Sequence, residues 1–349
     1  MVIETCRSDL QKFLNTVAEP PLADSKPRPV FVFGSGRSGT TWVQDAIAES
    51  NGLGTIFEPL HPQAVRGASE FANRYVRGEE TCAELRVFLD GIIKGTNPGL
   101  WPGLRTRPDR LFPHPRTILT KRGIKDTVVQ YRKTFRRWLV YRRQVGLPKV
   151  IKFIRANLLA SWMQREYGYN SAIIVRHPCA VLASVCRRSG QEWNELSMRR
   201  LLDRYLGQPK LVQDYLASIA PQLADLKSMA EVHTAIWCIE NTPHLERSDH
   251  GPHLAFYENL VTRQKGAWDN LVTALQLSNA PDEQTLERPS QQASYQMGQK
   301  ASAEKLVLSW QSYLSEQQQD HVHRVLDIFG VSAYSVDSAM PIRTEDVSD

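Results

Sequence analysis

The chain has 349 residues, of which 42% are hydrophobic and 23% charged, so it can bury a sizeable core without metals or disulfides and is not a disordered polymer. Its apolar runs, such as Val30 to Phe33 and Ala172 to Val175, fall far short of the ~20 residues that span a bilayer. Glu4, Arg7 and Asp9 interrupt the first residues, which argues against a secretory leader and for a cytoplasmic protein. Five dispersed cysteines with no C-x-x-C pair suggest neither a disulfide framework nor a zinc site, and no metal is expected. The net charge of +6 is unevenly spread: from Lys121 to Arg155, twelve Lys and Arg stand against a single acid, Asp126.

In chain order, residues 1–28 read as a short amphipathic helix and a Pro-containing linker. Val30 to Phe33 then reads as a strand, followed by a Gly/Ser turn, a helix over Thr41 to Glu49, and a second strand over Thr55 to Phe57. The rhythm returns with a strand at Lys149 to Ile154, a helix over Leu158 to Tyr167 begun by Asn157, a strand at Ser171 to Val175 and a helix over Ala180 to Arg188. His253 to Tyr257 reads as one more strand, with helices near Gln264 to Leu277, Ala303 to Leu314 and Glu316 to Phe329. Alternation of this kind predicts an α/β fold, a three-layer P-loop-type domain over 29–335 with a mainly parallel central sheet flanked by helices. Regions 60–120 and 189–250 read as helical or loop insertions, and 336–349 as a flexible tail.

The turn after the first strand is Gly34-Ser35-Gly36-Arg37-Ser38-Gly39-Thr40-Thr41. A small-residue loop between a buried strand and a helix N-terminus exposes backbone N–H groups and suits a phosphate. The spacing Gly34-x4-Gly39 imitates a Walker A loop, yet Thr40-Thr41 stands where Lys-[Ser/Thr] is required, and a cation sits earlier, at Arg37.

With Trp42 added, Arg37-Ser38-Gly39-Thr40-Thr41-Trp42 resembles the 5′-phosphosulfate loop of sulfotransferases that use 3′-phosphoadenosine 5′-phosphosulfate (PAPS). The family's second signature, Arg-x-Pro with a Ser eight residues after the Arg, is matched by Arg176-His177-Pro178 and Ser184, about 140 residues downstream in the expected order. Weaker similarity covers Phe256 to Leu260 and Ser302 to Phe329, so the resemblance spans most of 29–330. It implies a sulfuryl transferase with PAPS as donor and the bisphosphate PAP as product. It further implies that Arg37 to Thr41 bind the 5′-phosphosulfate, that Arg176 and Ser184 clamp the 3′-phosphate, and that Trp42 stacks on adenine. Arg suits a terminal phosphate because its planar fork donates two charge-assisted hydrogen bonds. Lys300 and Ser302 match the family's segment over the 3′-phosphate by place, though not by wording.

Sulfuryl transfer to a hydroxyl needs a base for the acceptor proton and cations for the departing phosphate. In the cytosolic sulfotransferases a Lys-Thr-His tripeptide supplies both; here Lys152 falls at the matching distance, but Phe153 and Ile154 follow and the His is absent. Phe57-Glu58-Pro59-Leu60 is similar to a segment of Golgi enzymes that sulfate sugar hydroxyls. Glu58 is therefore the expected base and Lys152 a contact to the transferred group, with His61 and His114 as the alternative bases. Lys121 reads as ordinary surface charge.

The basic stretch interleaves Tyr131, Phe135, Trp138 and Tyr141 at helical spacing, which fits a packed stripe with a solvated cationic face. It also fits a surface for an anionic acceptor such as an acidic glycan or lipid headgroup. No nucleic-acid module accompanies the charge. The acceptor expected from the Golgi likeness is a carbohydrate or glycoconjugate hydroxyl; a phenol, steroid or lipid alcohol is the alternative. Two other classes compete: a P-loop phosphotransferase, opposed by the missing Lys, and a non-catalytic binder of PAP or anionic polymers. The sequence carries no sign of oligomeric state.

Overall fold

The structure, a computed structural model, describes residues 28–95, 97, 146–187, 194–246, 251–287 and 302–342. Five strands form one sheet: β1 (Val30–Phe33), β2 (Gly54–Phe57), β3 (Lys149–Phe153), β4 (Ser171–Val175) and β5 (His253–Phe256), in spatial order β2-β3-β1-β4-β5. Every pair is parallel, with Val30 opposite Val150, Phe31 opposite Ser171, and Phe57 opposite Lys152. The apolar strands suit burial on both faces, which parallel sheets require.

Period-two alternation decides which layer each side chain joins. Phe31, Phe33, Ile151, Phe153, Ile173 and Val175 point into the larger core cluster, while Val30, Val32, Val150, Ala172 and Ile174 point into the smaller one. On the smaller side lie α1 (Thr40–Ser50) and, further along the chain, Ala267–Ala274, through Val43, Ile47, Trp268 and Leu271. The larger side is covered by α3 (Ala160–Tyr167), α4 (Pro178–Cys186) and elements introduced below. Helix α2 (Ala83–Lys94) buries Leu85, Leu89 and Ile92 in the same cluster.

The 189–250 region contains more than an insertion. After α5 (Glu195–Leu206), helix α6 (Met229–Leu245) is buried over nearly its whole length and packs against α4, α5 and α10 (Glu316–Ile328). A capping box opens it: Ser228 accepts from Glu231 N, and the Glu231 carboxylate accepts from Ser228 N. Its apolar residues run around all faces, which hides the helical period in the sequence.

Elsewhere, α7 (Tyr257–Val261) begins directly after β5, α8 is Ala267–Ala274, and α9 is Ala303–Leu308. The last two are shorter than the sequence pattern suggested, and α7 begins at Tyr257, which read as strand. Asn157 does not cap a helix: it opens a 3-10 turn, Asn157–Leu159, ahead of α3, and its side chain turns toward the β1 loop. Residues 336–342, which read as tail, fold back, with Ile342 N donating to Ala333 O at 2.8 Å and Ala339 buried. The predicted N-terminal helix, Lys121 and most of the basic stretch lie outside the described residues. Among those described, no helix is long and apolar enough to cross a membrane, and Cys82, Cys179, Cys186 and Cys238 are free thiols.

Candidate active site

The C-terminal ends of β1, β3 and β4 lie side by side in the sheet, and the Gly34 to Thr41 loop leads from β1 into α1. Two glycines in this loop are required by space. A Cβ on Gly34 would stand 2.6 Å from Thr40 Cγ2 and 2.7 Å from Ile174 O. Gly39, the N-cap of α1, has φ +87°, and a Cβ there would lie 2.3 Å from Tyr257 Cδ2. Arg37 is also left-handed, at φ 72°. The first turn of α1 carries no acidic residue and no side-chain cap, and a helix N-terminus of this kind suits an anion.

The two motifs meet at this loop. Arg37 Nε donates to Ser184 Oγ at 3.0 Å, and Arg176 Nη1 donates to the Arg37 carbonyl at 3.2 Å. Arg176 lies over the Tyr257 ring, 4.5 Å from its centre. Its Nε is buried and has no hydrogen-bond partner, a donor that a bound anion could satisfy. The turn bearing it is fixed on both sides: Trp237 Nε1 donates to Arg176 O at 3.0 Å, and His177 N donates to Glu258 Oε1 at 2.9 Å. The His177 ring accepts from Cys179 N, capping α4, and stacks on Trp310. Burial pushes its pKa down to about 4, so the ring is neutral and its Nε2 donates to Ser335 O. Phe256 to Leu260 thus supports the Arg176 turn through Glu258.

Beside the loop is a buried ion group. Lys152 Nζ, only 1% exposed, donates to Thr41 Oγ1 and to Glu58 Oε1, each at 2.9 Å, and lies 3.7 Å over the Phe57 ring. Arg155 Nη1 stands 3.4 Å from Glu58 Oε2. Burial alone raises the Glu58 pKa, but the Lys152 charge and hydrogen bond, then Arg155, outweigh it and hold the carboxyl below its ordinary 4.5. Glu58 is left-handed at φ 45°. Its N–H donates to Lys152 O at 3.1 Å, extending the β2-β3 ladder just far enough to bring the two side chains together.

Sequence reasoning missed a third group. The Ser35 hydroxyl accepts from Asn241 Nδ2 at 2.9 Å and from Asn157 Nδ2 at 3.5 Å. The bond from Asn241 fastens the loop to α6. Glu240, fully buried, accepts from Tyr205 OH at 2.7 Å; burial raises its pKa against the opposing pull of Ser35, Tyr205 and Arg155. No motif marks these residues in the sequence, because each depends on which strand lies next to α6.

Among the remaining expected residues, Ser38 donates from Oγ to Ser35 O at 2.7 Å, bracing the loop internally. Trp42 is 9% exposed and packs edge-on against Trp268 and Tyr257, with centroids 5.4 and 5.9 Å away. Ser302 caps α9, accepting from Lys305 N, and α9 packs against α7. His61 follows Glu58 by one turn, its N–H donating to Glu58 O at 3.0 Å. Lys300 and His114 lie outside the described residues. Among those described, no group of three or more His, Cys, Asp or Glu could hold a metal ion.

Two solved structures to which the chain is similar are sulfotransferase domains. One, from the Synechococcus PCC 7002 olefin synthase, is 17% identical at a TM-score of 0.41, over 89% of this chain and 98% of that one. Another, from the curacin biosynthetic pathway, is 16% identical at a TM-score of 0.38, over 87% and 98%. No protein-family model matches the chain, and no curated protein matches it.

Proposed function

We propose that the chain is a sulfotransferase that moves a sulfuryl group from PAPS to a hydroxyl of a carbohydrate or glycoconjugate acceptor. The observation that carries this reading is the meeting of Arg37, Arg176 and Ser184 beside an uncapped helix N-terminus, with Arg176 Nε lacking a partner. A nucleotide with phosphates at both ends of its ribose gives each group an occupant: loop amides and Arg37 for the 5′ side, Arg176 and Ser184 for the 3′ side. ATP would leave the second set idle.

In the reaction the acceptor oxygen forms a bond to sulfur, the bond between sulfur and the bridging phosphate oxygen breaks, and PAP departs with the charge that Arg37 and the loop amides absorb. Glu58 takes the acceptor proton. At rest it is a poor base, since Lys152 and Arg155 hold its carboxylate. Lys152 touches both Thr41 at the loop and Glu58, so a shift of its ammonium toward the sulfuryl oxygens loosens its grip on the carboxylate just as the proton has to be taken. Arg37 and Lys152 are the cations of the transfer and Glu58 its base.

The test is a PAPS-fed reaction with a mixed library of hydroxyl compounds, read by mass spectrometry for an added sulfate. Sulfated sugars support the reading. Binding of PAP without turnover on any hydroxyl would point to a non-catalytic binder, and magnesium-dependent consumption of ATP to a phosphotransferase.

A further inference from the structure

Tyr334 stands at the start of the C-terminal segment that folds back on itself, and it is buried. Its ring meets three aromatic groups edge-on: His177 at 5.0 Å, Phe256 at 5.6 Å and Trp237 at 5.9 Å. Held among them, its hydroxyl donates to Glu258 Oε2 at 2.9 Å. The other carboxyl oxygen of Glu258, Oε1, accepts from His177 N at 2.9 Å. Glu258 and His177 are buried too, where a hydrogen bond left unmade is costly.

One peptide unit is gripped by this chain of bonds. The carbonyl of Arg176 and the N–H of His177 belong to the same plane. Glu258 takes the N–H and Trp237 Nε1 donates to the carbonyl at 3.0 Å, so both edges of the plane are held. Ser335, next to Tyr334, accepts on its carbonyl from His177 Nε2 at 3.0 Å, and Trp310 stacks on the same imidazole with centroids 4.6 Å apart. On the other side of Arg176, Val175 is fixed opposite Phe256 in the pairing of β4 with β5. The direction in which the Arg176 side chain leaves the main chain is set between these two held units. Its guanidinium lies over Tyr257, donates from Nη1 to the Arg37 carbonyl and keeps a buried Nε without a partner. Arginine recognises phosphate through a rigid fork, so a turn of the peptide swings that fork off the anion.

We infer that Tyr334 is a positioning residue of the anion site: through Glu258 and the peptide between Arg176 and His177 it aims the Arg176 guanidinium at a terminal phosphate. The C-terminal segment thereby sets the preference for a nucleotide carrying a 3′-phosphate. The inference rests on the sulfuryl-transfer reading for the identity of the anion, and on the hydrogen bonds alone for the aim of the side chain.

The test uses the full chain. Calorimetry compares PAP with 5′-AMP, which lacks the 3′-phosphate, in wild type, Tyr334→Phe, Arg176→Ala and the double variant. Tyr334→Phe keeps the ring and removes the hydroxyl; it should weaken PAP by about fivefold or more and 5′-AMP by less than about twofold. A merely structural role would weaken both alike or lower only the melting temperature. Because Tyr334 acts through Arg176, the double variant should bind PAP no more than about twofold worse than Arg176→Ala alone. NMR of the isotope-labelled chain without nucleotide follows the Arg176 Nε–H, assigned by its absence from Arg176→Ala. Its exchange with solvent should be about tenfold faster or more in Tyr334→Phe. Glu258→Gln is the second variant, should the first not fold: it still accepts from His177 N and meets the Tyr334 oxygen with its amide, so it should keep the preference for PAP within about threefold of wild type. The inference is overturned if Tyr334→Phe leaves the preference or the Nε exchange unchanged, if it weakens both nucleotides alike, if its loss multiplies with that of Arg176→Ala, or if Glu258→Gln loses the preference. Wild type that binds PAP no better than 5′-AMP would instead overturn the sulfuryl-transfer reading, while the Nε exchange still reports on Tyr334.

Discussion

Lys152 Nζ and Glu58 Oε1 are 2.9 Å apart, on neighbouring parallel strand ends, with both side chains buried. In the proposed reaction the pair makes the base and its restraint one unit. Glu58→Gln removes the basicity while keeping the shape, so turnover should fall by about 10²- to 10⁴-fold while PAP affinity stays nearly unchanged. Steady-state kinetics beside calorimetry reads this. Near-normal turnover in Glu58→Gln, with loss in His61→Ala or His114→Ala, would move the base to a histidine.

The same pair sets a pH dependence. Since the folded Glu58 pKa is depressed below its ordinary 4.5, its contribution to stability is fully present above that value and is lost as pH falls through the lower, folded value. Urea midpoints of wild type and Glu58→Gln should therefore differ most near neutral pH and converge in acid below 4.5. A gap that widens on acidification would contradict the assignment. Lys152→Met, leaving Glu58 with the more distant Arg155, should destabilise by about 3 kcal/mol, the lower end for a broken buried pair.

Arg176→Ala should weaken PAP by roughly one to two decades, the loss of a charged hydrogen-bonding partner worth about 1.5 to 3 kcal/mol, and leave 5′-AMP almost unaffected. Equal losses for both nucleotides would place Arg176 away from the 3′-phosphate.

Gly39→Ala meets two obstacles, a left-handed backbone worth ~1–2 kcal/mol and the Tyr257 ring at 2.3 Å. PAP binding should be lost. Adding Tyr257→Ala relieves the clash but not the backbone cost, so the double variant should recover part of the melting temperature and little of the affinity.

Asn241→Leu leaves Ser35 without its best donor and should weaken PAP by about tenfold, although Asn241 lies behind the loop. Activity should survive EDTA, because in the proposed reaction Arg37 and the loop amides carry the charge a metal would otherwise carry.

Much of this arrangement is legible in the sequence, and the reason differs by residue. Val30 to Phe33 and Ser171 to Val175 announce buried parallel strands because both faces are apolar. Gly39 and Arg37 are readable because a left-handed helix entry leaves a local signature. Glu58 and Lys152 can each be named, yet their ion pair depends on β2 and β3 being neighbours, which no spacing encodes. Asn157, Asn241 and Glu240 are silent: they act across the fold, and isolated amides or acids in a helix read as surface. Helix α6 hides for the opposite reason, since apolar residues on every side erase the period; only the Ser228 and Glu231 cap betrays it.

The hydrogen bonds that shape the loop and hold Glu58 join segments far apart in the chain: 94 residues between Glu58 and Lys152, 147 between Arg37 and Ser184, and 206 between Ser35 and Asn241. No fragment of the chain can hold the site in advance, because the loop-closure entropy must be met before any of these contacts forms. Parallel pairing of β1 with β3 and β4 is slow for the same reason, and until it completes the apolar strands are open to other chains. The proposed binding of an anion across the loop and Arg176 would thus report on the finished molecule alone. A bisphosphate present during refolding should raise the yield by mass action, and the fraction of chains able to bind it measures how many have completed their topology.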